Sequence, residues 1–97
     1  MVKKIVWTEI AIADRLNILN YWLERLGHYR YSKKIDEAFK EVIKKISEHP
    51  EMGSKYIRNI RVFVKGNYLI FYKFDRNVIH VLHIWDSRRN LENLEFN

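Results

Sequence analysis

The chain has 97 residues, of which 47 % are hydrophobic and 14 % aromatic, so it is long enough for one modest core and too apolar to be disordered. It has no cysteine, which excludes disulfides and thiolate metal sites, and no apolar run near the roughly 20 residues of a membrane span. Its net charge of +6 favours an anionic partner such as a nucleic acid or an acidic protein. We expect a single cytoplasmic domain over residues 1–97 with no cofactor, no metal and no membrane association.

The first predicted elements are a short strand over Lys3–Thr8 and a long helix. The strand is inferred from its β-branched and aromatic residues. Thr8 and Glu9 place a capping hydroxyl and an acid at a helix start, and no glycine or proline interrupts the chain up to Leu26. Gly27 is a natural helix stop. The apolar residues of this helix cover a wide arc at helical spacing, which predicts one broad buried side.

A second helix is predicted over Ser32–Glu48. Its apolar residues recur every three or four positions, and its other face mixes lysines with acids, which indicates a solvated surface rather than a nucleic-acid stripe. His49-Pro50 ends this helix because proline disfavours helical geometry in the residue before it. Glu51–Ser54 then completes a turn.

Three strand-like runs follow, over Tyr56–Val64, Tyr68–Phe74 and Val78–Trp85. The short segments between them, residues 65–67 and 75–77, contain Gly or Asn, which tolerate the positive φ of tight hairpin turns. This pattern predicts an antiparallel three-stranded meander. Residues 55–89 carry eight lysines and arginines against two acids, so the net charge of the protein is concentrated in the meander.

The predicted order β-α-α-β-β-β gives an α+β fold in which a helical hairpin packs on one face of an antiparallel sheet. The other face and the strand ends are then available to partners. Strict alternation in Val78–Trp85 puts His83 on the face of Val81 and Trp85, and His80 on the opposite face. The two histidines therefore do not bind one metal ion. Both faces are apolar, so either one can meet the helices.

Four short blocks of residues stand in order over about residues 5–90. They are Trp7-Thr8-Glu9 with Ala11, Asp14, Ile18 and Tyr21; Pro50-Glu51-Met52-Gly53; Arg61-Val62-Phe63-Val64 with Asn67–Tyr72; and Val81-Leu82-His83 with Arg88-Arg89. Together these blocks resemble the RelE/ParE superfamily of type II toxin–antitoxin toxins. The chain departs from that family at Arg15, where Leu is common, and in its longer ending Ile84–Asn90.

The resemblance implies the toxin of a toxin–antitoxin pair. The partner it implies is a small antitoxin, acidic where it binds, that lays a C-terminal segment across the toxin. ParE-like members of the superfamily poison DNA gyrase, whereas RelE-like members cut mRNA on the ribosome without a metal. We expect a ParE-like toxin that arrests growth through gyrase. The alternatives are a RelE-like endoribonuclease and a degenerate toxin that acts only as a binding module, so whether the chain is an enzyme stays open.

RNA cleavage of this kind needs a general base, a general acid and cations that stabilise the charge on the phosphate. If the chain is a nuclease, we expect Arg61, His83 and Arg88 to be catalytic. Residues 91–97 contain no His or Tyr, unlike the ends of the ribosome-dependent nucleases, which favours the gyrase-directed interpretation. The cations expected to contact nucleic acid, ribosome or gyrase are Arg58, Arg61, Lys65, Arg88 and Arg89.

Each of these residues also has a structural alternative. His83 can be a hydrogen-bonded residue under or beside the helices. The two arginine sites can form ion pairs, Arg61 with Glu9, Asp14 or Asp86, and Arg88 and Arg89 with Glu92 or Glu95.

Overall fold

A computed structural model describes residues 2–96, and positions 1 and 97 lie outside the described residues. In chain order the elements are β1 (Lys4–Trp7), α1 (Glu9–Leu26), α2 (Arg30–Glu48), β2 (Ser54–Lys55), β3 (Arg61–Lys65), β4 (Tyr68–Phe74), β5 (Val78–Asp86) and a 3-10 turn (Leu91–Asn93). The strands form one five-stranded sheet in the order β1-β5-β4-β3-β2, with both helices on one face. The predicted helical hairpin on a sheet is confirmed, and β2 is an added strand.

The meander is antiparallel as predicted, with β3 paired to β4 and β4 paired to β5. The first strand differs, because β1 runs parallel to β5, with Lys4 opposite Val78 and Trp7 opposite Val81. The sheet is therefore mixed rather than wholly antiparallel. The chain leaves β1 through a long helical hairpin, so no tight turn forces that strand into an antiparallel pair.

The first strand of the meander is shorter than predicted. It begins at Arg61 instead of Tyr56, because residues 56–60 form a turn. In that turn the Tyr56 N–H donates to the Ile60 carbonyl at 2.9 Å. Arg58 lies in the same turn with a φ of 49°, in the left-handed region that non-glycine residues rarely adopt.

α2 supplies most of the helical side of the core. This helix begins at Arg30 instead of Ser32, whose hydroxyl donates to the Leu19 carbonyl of α1 at 2.7 Å and so joins the two helices. The predicted apolar stripe of α2 is confirmed, and each large side chain it buries contributes roughly 1.5–3 kcal/mol. The buried α2 residues are Ile35, Phe39, Val42, Ile43 and Ile46, and the sheet residues they meet include Ile70, Tyr72, Ile79 and Val81.

A β-bulge changes the facing of β5. Tyr72 lies opposite Val81 and Phe71 lies opposite His83, so Leu82 is the extra residue. Val81 faces the helices, whereas His83 faces the other side of the sheet, which corrects the strict alternation predicted for this strand. We call this other side the open face; its apolar floor consists of Val62, Leu69, Phe71, Leu82 and Trp85.

The buried side predicted for α1 is narrower in the structure: Ala11 is in the core and Ile18, Leu19 and Trp22 pack against it, but the rest of the predicted arc is exposed. Within α1, Ala11 alone is fully buried. Three large side chains on one flank are exposed, namely Ile12 at 44 %, Leu16 at 53 % and Leu23 at 41 %. The apolar arc of α1 is wider than the surface that α2 and β5 present to it, so part of that arc faces solvent.

The two helices are also joined by an ion pair. Nε of Arg15 lies 2.6 Å from Oδ1 of Asp36, Nη2 lies 2.9 Å from Oδ2, and the guanidinium stacks over the Trp7 ring at 5.1 Å. Arg15, which stands where the family commonly has Leu, therefore fills a structural place. The Arg15 guanidinium holds the pKa of the Asp36 carboxyl below its usual range.

This ion pair predicts a pH dependence of stability. The pKa of Asp36 is lower in the folded protein than in the unfolded chain. The ion pair therefore contributes its full stability above the ordinary aspartate pKa, and this stability is lost as the pH falls through the folded-state pKa. We expect Asp36→Asn to lower the free energy of unfolding at pH 7 and to lower it less at about pH 2.5. Urea unfolding of both proteins at the two pH values measures this, and an equal difference at both would contradict it.

Candidate functional site

The Pro50–Gly53 turn is held by two side chains from the sheet. The Tyr72 hydroxyl donates to the Pro50 carbonyl at 2.7 Å and accepts the Gly53 N–H at 2.9 Å. Nη1 of Arg61 donates to the Gly53 carbonyl at 2.7 Å and to the Glu51 carbonyl at 3.2 Å. Burial raises the pKa of Tyr72, so its hydroxyl stays a neutral donor. Arg61 thus bonds to backbone carbonyls and not to the acids considered as its partners.

Both ring nitrogens of His83 are in contact with acceptors inside the protein. Its Nδ1 lies 2.9 Å from Oδ2 of Asp14, and its Nε2 lies 2.8 Å from the Glu95 carbonyl oxygen. The same Asp14 oxygen accepts the Ile84 N–H at 3.1 Å, so this carboxylate caps β5 beyond the end of β1. His83 joins α1, β5 and the segment after the 3-10 turn, which is a positioning role.

The arginine pair after β5 is also engaged. Nε of Arg88 donates to Oδ1 of Asp86 at 2.9 Å, and this contact holds the pKa of Asp86 below its usual range. The Arg89 guanidinium lies 4.1 Å from the centre of the Trp85 ring, within cation–π distance. The partner of Arg88 is therefore Asp86 and the partner of Arg89 is Trp85, instead of the expected Glu92 or Glu95. Both arginines line a cavity of about 360 Å³ between α1 and β5.

The remaining predicted cations lie apart from that arginine pair. Arg58 lines a second cavity, of about 250 Å³, on the open face, together with Lys73 and His83. Lys65 is exposed at the end of β3. The structure therefore brings Arg58 near His83 and Arg88 near Arg89, but it does not gather the predicted residues into one basic groove.

The three candidate catalytic residues lie apart, each beside a different cavity. Arg61, His83 and Arg88 are each engaged by a partner within the protein. Both ring nitrogens of His83 are engaged, so a substrate would have to displace one of those contacts before His83 could exchange a proton with it. Within residues 2–96, no three His, Asp or Glu side chains gather as a metal-binding group, and no helix is long and apolar enough to cross a membrane.

An exposed apolar surface lies on α1, where the sequence predicted a buried side. We call it the α1 stripe; it consists of Ile12, Leu16, Leu23 and Leu26, all exposed. At its end is a basic tip, residues 25–34, with four lysines and arginines and no acid. The unusually wide apolar arc of the first helix was the sign that one part of it would stay uncovered.

Comparisons with known proteins agree with this fold. The family model described as "ParE toxin of type II toxin-antitoxin system, parDE" matches residues 5–91. Nine chains of solved structures match. One is the "Chromosomal ParDE TA system from P. aeruginosa", with a TM-score of 0.75 and 17 % identity over 88 % of this chain and 96 % of that chain. No curated protein matches. The family match covers both helices and every strand except the first residue of β1, so the chain is a member of the ParE toxin family of type II toxin–antitoxin systems.

Proposed function

We propose that this ParE-family toxin arrests growth by binding DNA gyrase, without catalysis of its own, and that its antitoxin neutralises it by covering the α1 stripe. A toxin with this target works in the cytoplasm. The observation that carries the proposal is the engagement of Arg61, His83 and Arg88 by partners inside the fold. Side chains held in this way support a rigid binding surface better than they support proton transfer.

Of the predicted cations, we assign to the target the exposed ones that have no carboxylate within 4.0 Å among residues 2–96. Arg58, Lys65 and Arg89 have exposed side chains in three different places, at the 56–60 turn, at the end of β3 and after β5. Separate cations of this kind suit contact with a large protein surface, where charge steers association and sets orientation. Arg61 and Arg88 have a supporting role in this proposal. Arg61 holds the Pro50–Gly53 turn, and Arg88 holds the end of β5 through Asp86.

We assign the antitoxin site to the α1 stripe. Exposed Ile12, Leu16 and Leu23 on one flank of a helix form an apolar surface that an amphipathic segment can cover. The adjoining basic tip at residues 25–34 complements acidic residues on the same partner. This combination matches a small antitoxin whose binding segment is apolar on one side and acidic at one end.

Controlled induction in a bacterial host tests the proposed function. We expect growth arrest, loss of DNA supercoiling and intact translated mRNA, and we expect rescue when the small protein encoded next to the gene is co-expressed. New mRNA ends within translated codons would instead support the RelE-like alternative. Unaffected growth at high expression, with antitoxin binding retained, would identify a degenerate toxin that acts only as a binding module.

A further inference from the structure

The open face of the sheet is partly covered by the protein's own chain. The segment Leu91–Phe96, which begins with the 3-10 turn and which we call the strap, folds back across β4 and β5. Leu94 and Phe96 pack against the buried cluster that contains Phe71 and Trp85. The helices cover the other face, so the strap and the α1 stripe lie on different sides of the sheet.

The strap is held by one aromatic side chain and one backbone bond. The ring of Phe96 meets the rings of Phe71 at 5.2 Å, His83 at 5.4 Å and Tyr56 at 6.1 Å, all edge-on. Nε2 of His83 lies 2.8 Å from the Glu95 carbonyl oxygen, at hydrogen-bond distance. Edge-on aromatic pairs attract each other beyond the effect of the area they bury. The open face thus has an aromatic socket, formed by the rings of Tyr56, Phe71 and His83. It also has a ring nitrogen, Nε2 of His83, that can bond to one main-chain carbonyl.

The strap leaves part of this face empty. A cavity of about 250 Å³ remains beside Phe96, and Arg58, Lys73 and Glu95 line it. Within residues 2–96, neither Arg58 nor Lys73 has a carboxylate within 4.0 Å. The cavity can therefore take a carboxylate next to the aromatic socket, and the strap itself carries Glu95 at this position without an ion pair.

The backbone at this cavity is strained. Arg58 has a φ of 49°, a backbone conformation that is unfavourable for a residue with a Cβ. Glycine adopts this conformation without that strain. The arginine side chain at position 58 therefore comes at a cost in folding stability. Strain of this kind clusters at binding sites, which agrees with the free cation and the empty cavity.

We propose that the open face is a second interaction surface, which takes an extended protein segment with an aromatic side chain next to a carboxylate, and that the strap occupies it within the free chain. Such a segment places its aromatic ring between Tyr56, Phe71 and His83. Its main chain bonds to Nε2 of His83, and its carboxylate meets Arg58 and Lys73. The inference goes beyond the proposed function, because it concerns the opposite face of the sheet from the α1 stripe. It shares Arg58 with the residues assigned to the target, but it does not depend on which target that is.

The test uses the full chain carrying Phe96→Ser and an acetylated peptide of residues 90–96, titrated in NMR experiments. We expect the peptide to bind Phe96→Ser at least about tenfold more tightly than the unaltered chain, because the intact strap competes at a high effective concentration. The shifts should map to His83 and Trp85. A peptide in which Lys replaces the residue matching Glu95 should bind at least about threefold more weakly, because it meets Arg58 and Lys73 with the wrong charge.

Two further variants make the result decisive. Val64→Ser changes an exposed side chain on β3, 60 % exposed and outside the strap contacts, and should leave peptide binding unchanged. Phe96→Leu, which keeps an apolar side chain, should give an intermediate affinity and replaces Phe96→Ser if that variant does not fold. Equal peptide affinity for the unaltered and altered chains would overturn the proposal, as would shifts that map to α1. Equal binding of both peptides would overturn the assignment of Arg58 and Lys73.

Discussion

Gly53→Ala is expected to destabilise the protein by about 3 kcal/mol, because overpacking and lost hydrogen bonds each cost roughly 1–3 kcal/mol. A Cβ at this position would lie 2.5 Å from the Tyr72 hydroxyl and 2.9 Å from Cε1 of the same ring. The ring cannot move aside, since Tyr72 is fully buried and its hydroxyl bonds to both Pro50 and Gly53. For a domain of this size, the melting temperature should fall by roughly 12 °C or more, as thermal unfolding would measure.

Two control variants separate this cause from general sensitivity to substitution. At Gly66 an added Cβ would have no atom within 4 Å, so the φ of +59° is the source of strain. Gly66→Ala should therefore lower the free energy of unfolding by roughly 1–2 kcal/mol. Tyr72→Phe removes the hydroxyl that the new Cβ meets. We therefore expect the pair Gly53→Ala with Tyr72→Phe to cost clearly less than the two single changes added together. Simple additivity would show that the close approach is not the cause.

Leu16→Glu is expected to abolish neutralisation while leaving toxicity intact. Leu16 is 53 % exposed on the α1 stripe, so the change should alter folding stability by less than about 0.5 kcal/mol. In the complex, the same change replaces a covered apolar contact with an unpaired carboxylate. Affinity for the antitoxin should fall at least about 100-fold, which corresponds to roughly 2.8 kcal/mol. Calorimetry with the purified antitoxin gives this number, and co-expression gives the growth readout.

Val64→Glu provides the matched control for this prediction. Val64 is as exposed as Leu16 but lies on the open face of the sheet, away from α1. It should bind the antitoxin with unchanged affinity, and co-expression should still rescue growth. If Leu16→Glu is neutralised as well as the unaltered chain, the antitoxin does not use the α1 stripe.

The parts of the fold that depend on local pattern were predictable from the sequence. The apolar stripe of α2 and the meander turns at Gly66 and Asn77 are set by residues a few positions apart. The parallel pairing of β1 with β5 joins residues more than 70 positions apart, and no local pattern encodes it. The bulge at Leu82 likewise depends on how β4 and β5 fit together, and it puts His83 on the opposite face from Val81, with which strict alternation had grouped it.

The candidate site was less predictable, because its contacts join distant parts of the chain. Residue types marked Arg61 and His83 as candidates for chemistry, and both match the family blocks. Their partners are the carbonyls of the Pro50–Gly53 turn, the Asp14 carboxylate and the Glu95 carbonyl. The Pro-x-x-Gly turn is uninformative as a motif by itself, yet it is the point where Tyr72 and Arg61 fasten the sheet to the end of α2.

The most direct test of the central claim uses the purified chain with two purified systems, DNA gyrase and a translating ribosome on mRNA. A toxin that acts by binding should inhibit supercoiling by gyrase and leave the mRNA uncut, and adding the antitoxin in equal amount should restore supercoiling. Arg61→Lys, which keeps the charge and a donor for the Gly53 carbonyl, should retain inhibition wherever the fold is retained. Cleaved mRNA with unaffected gyrase would contradict the account.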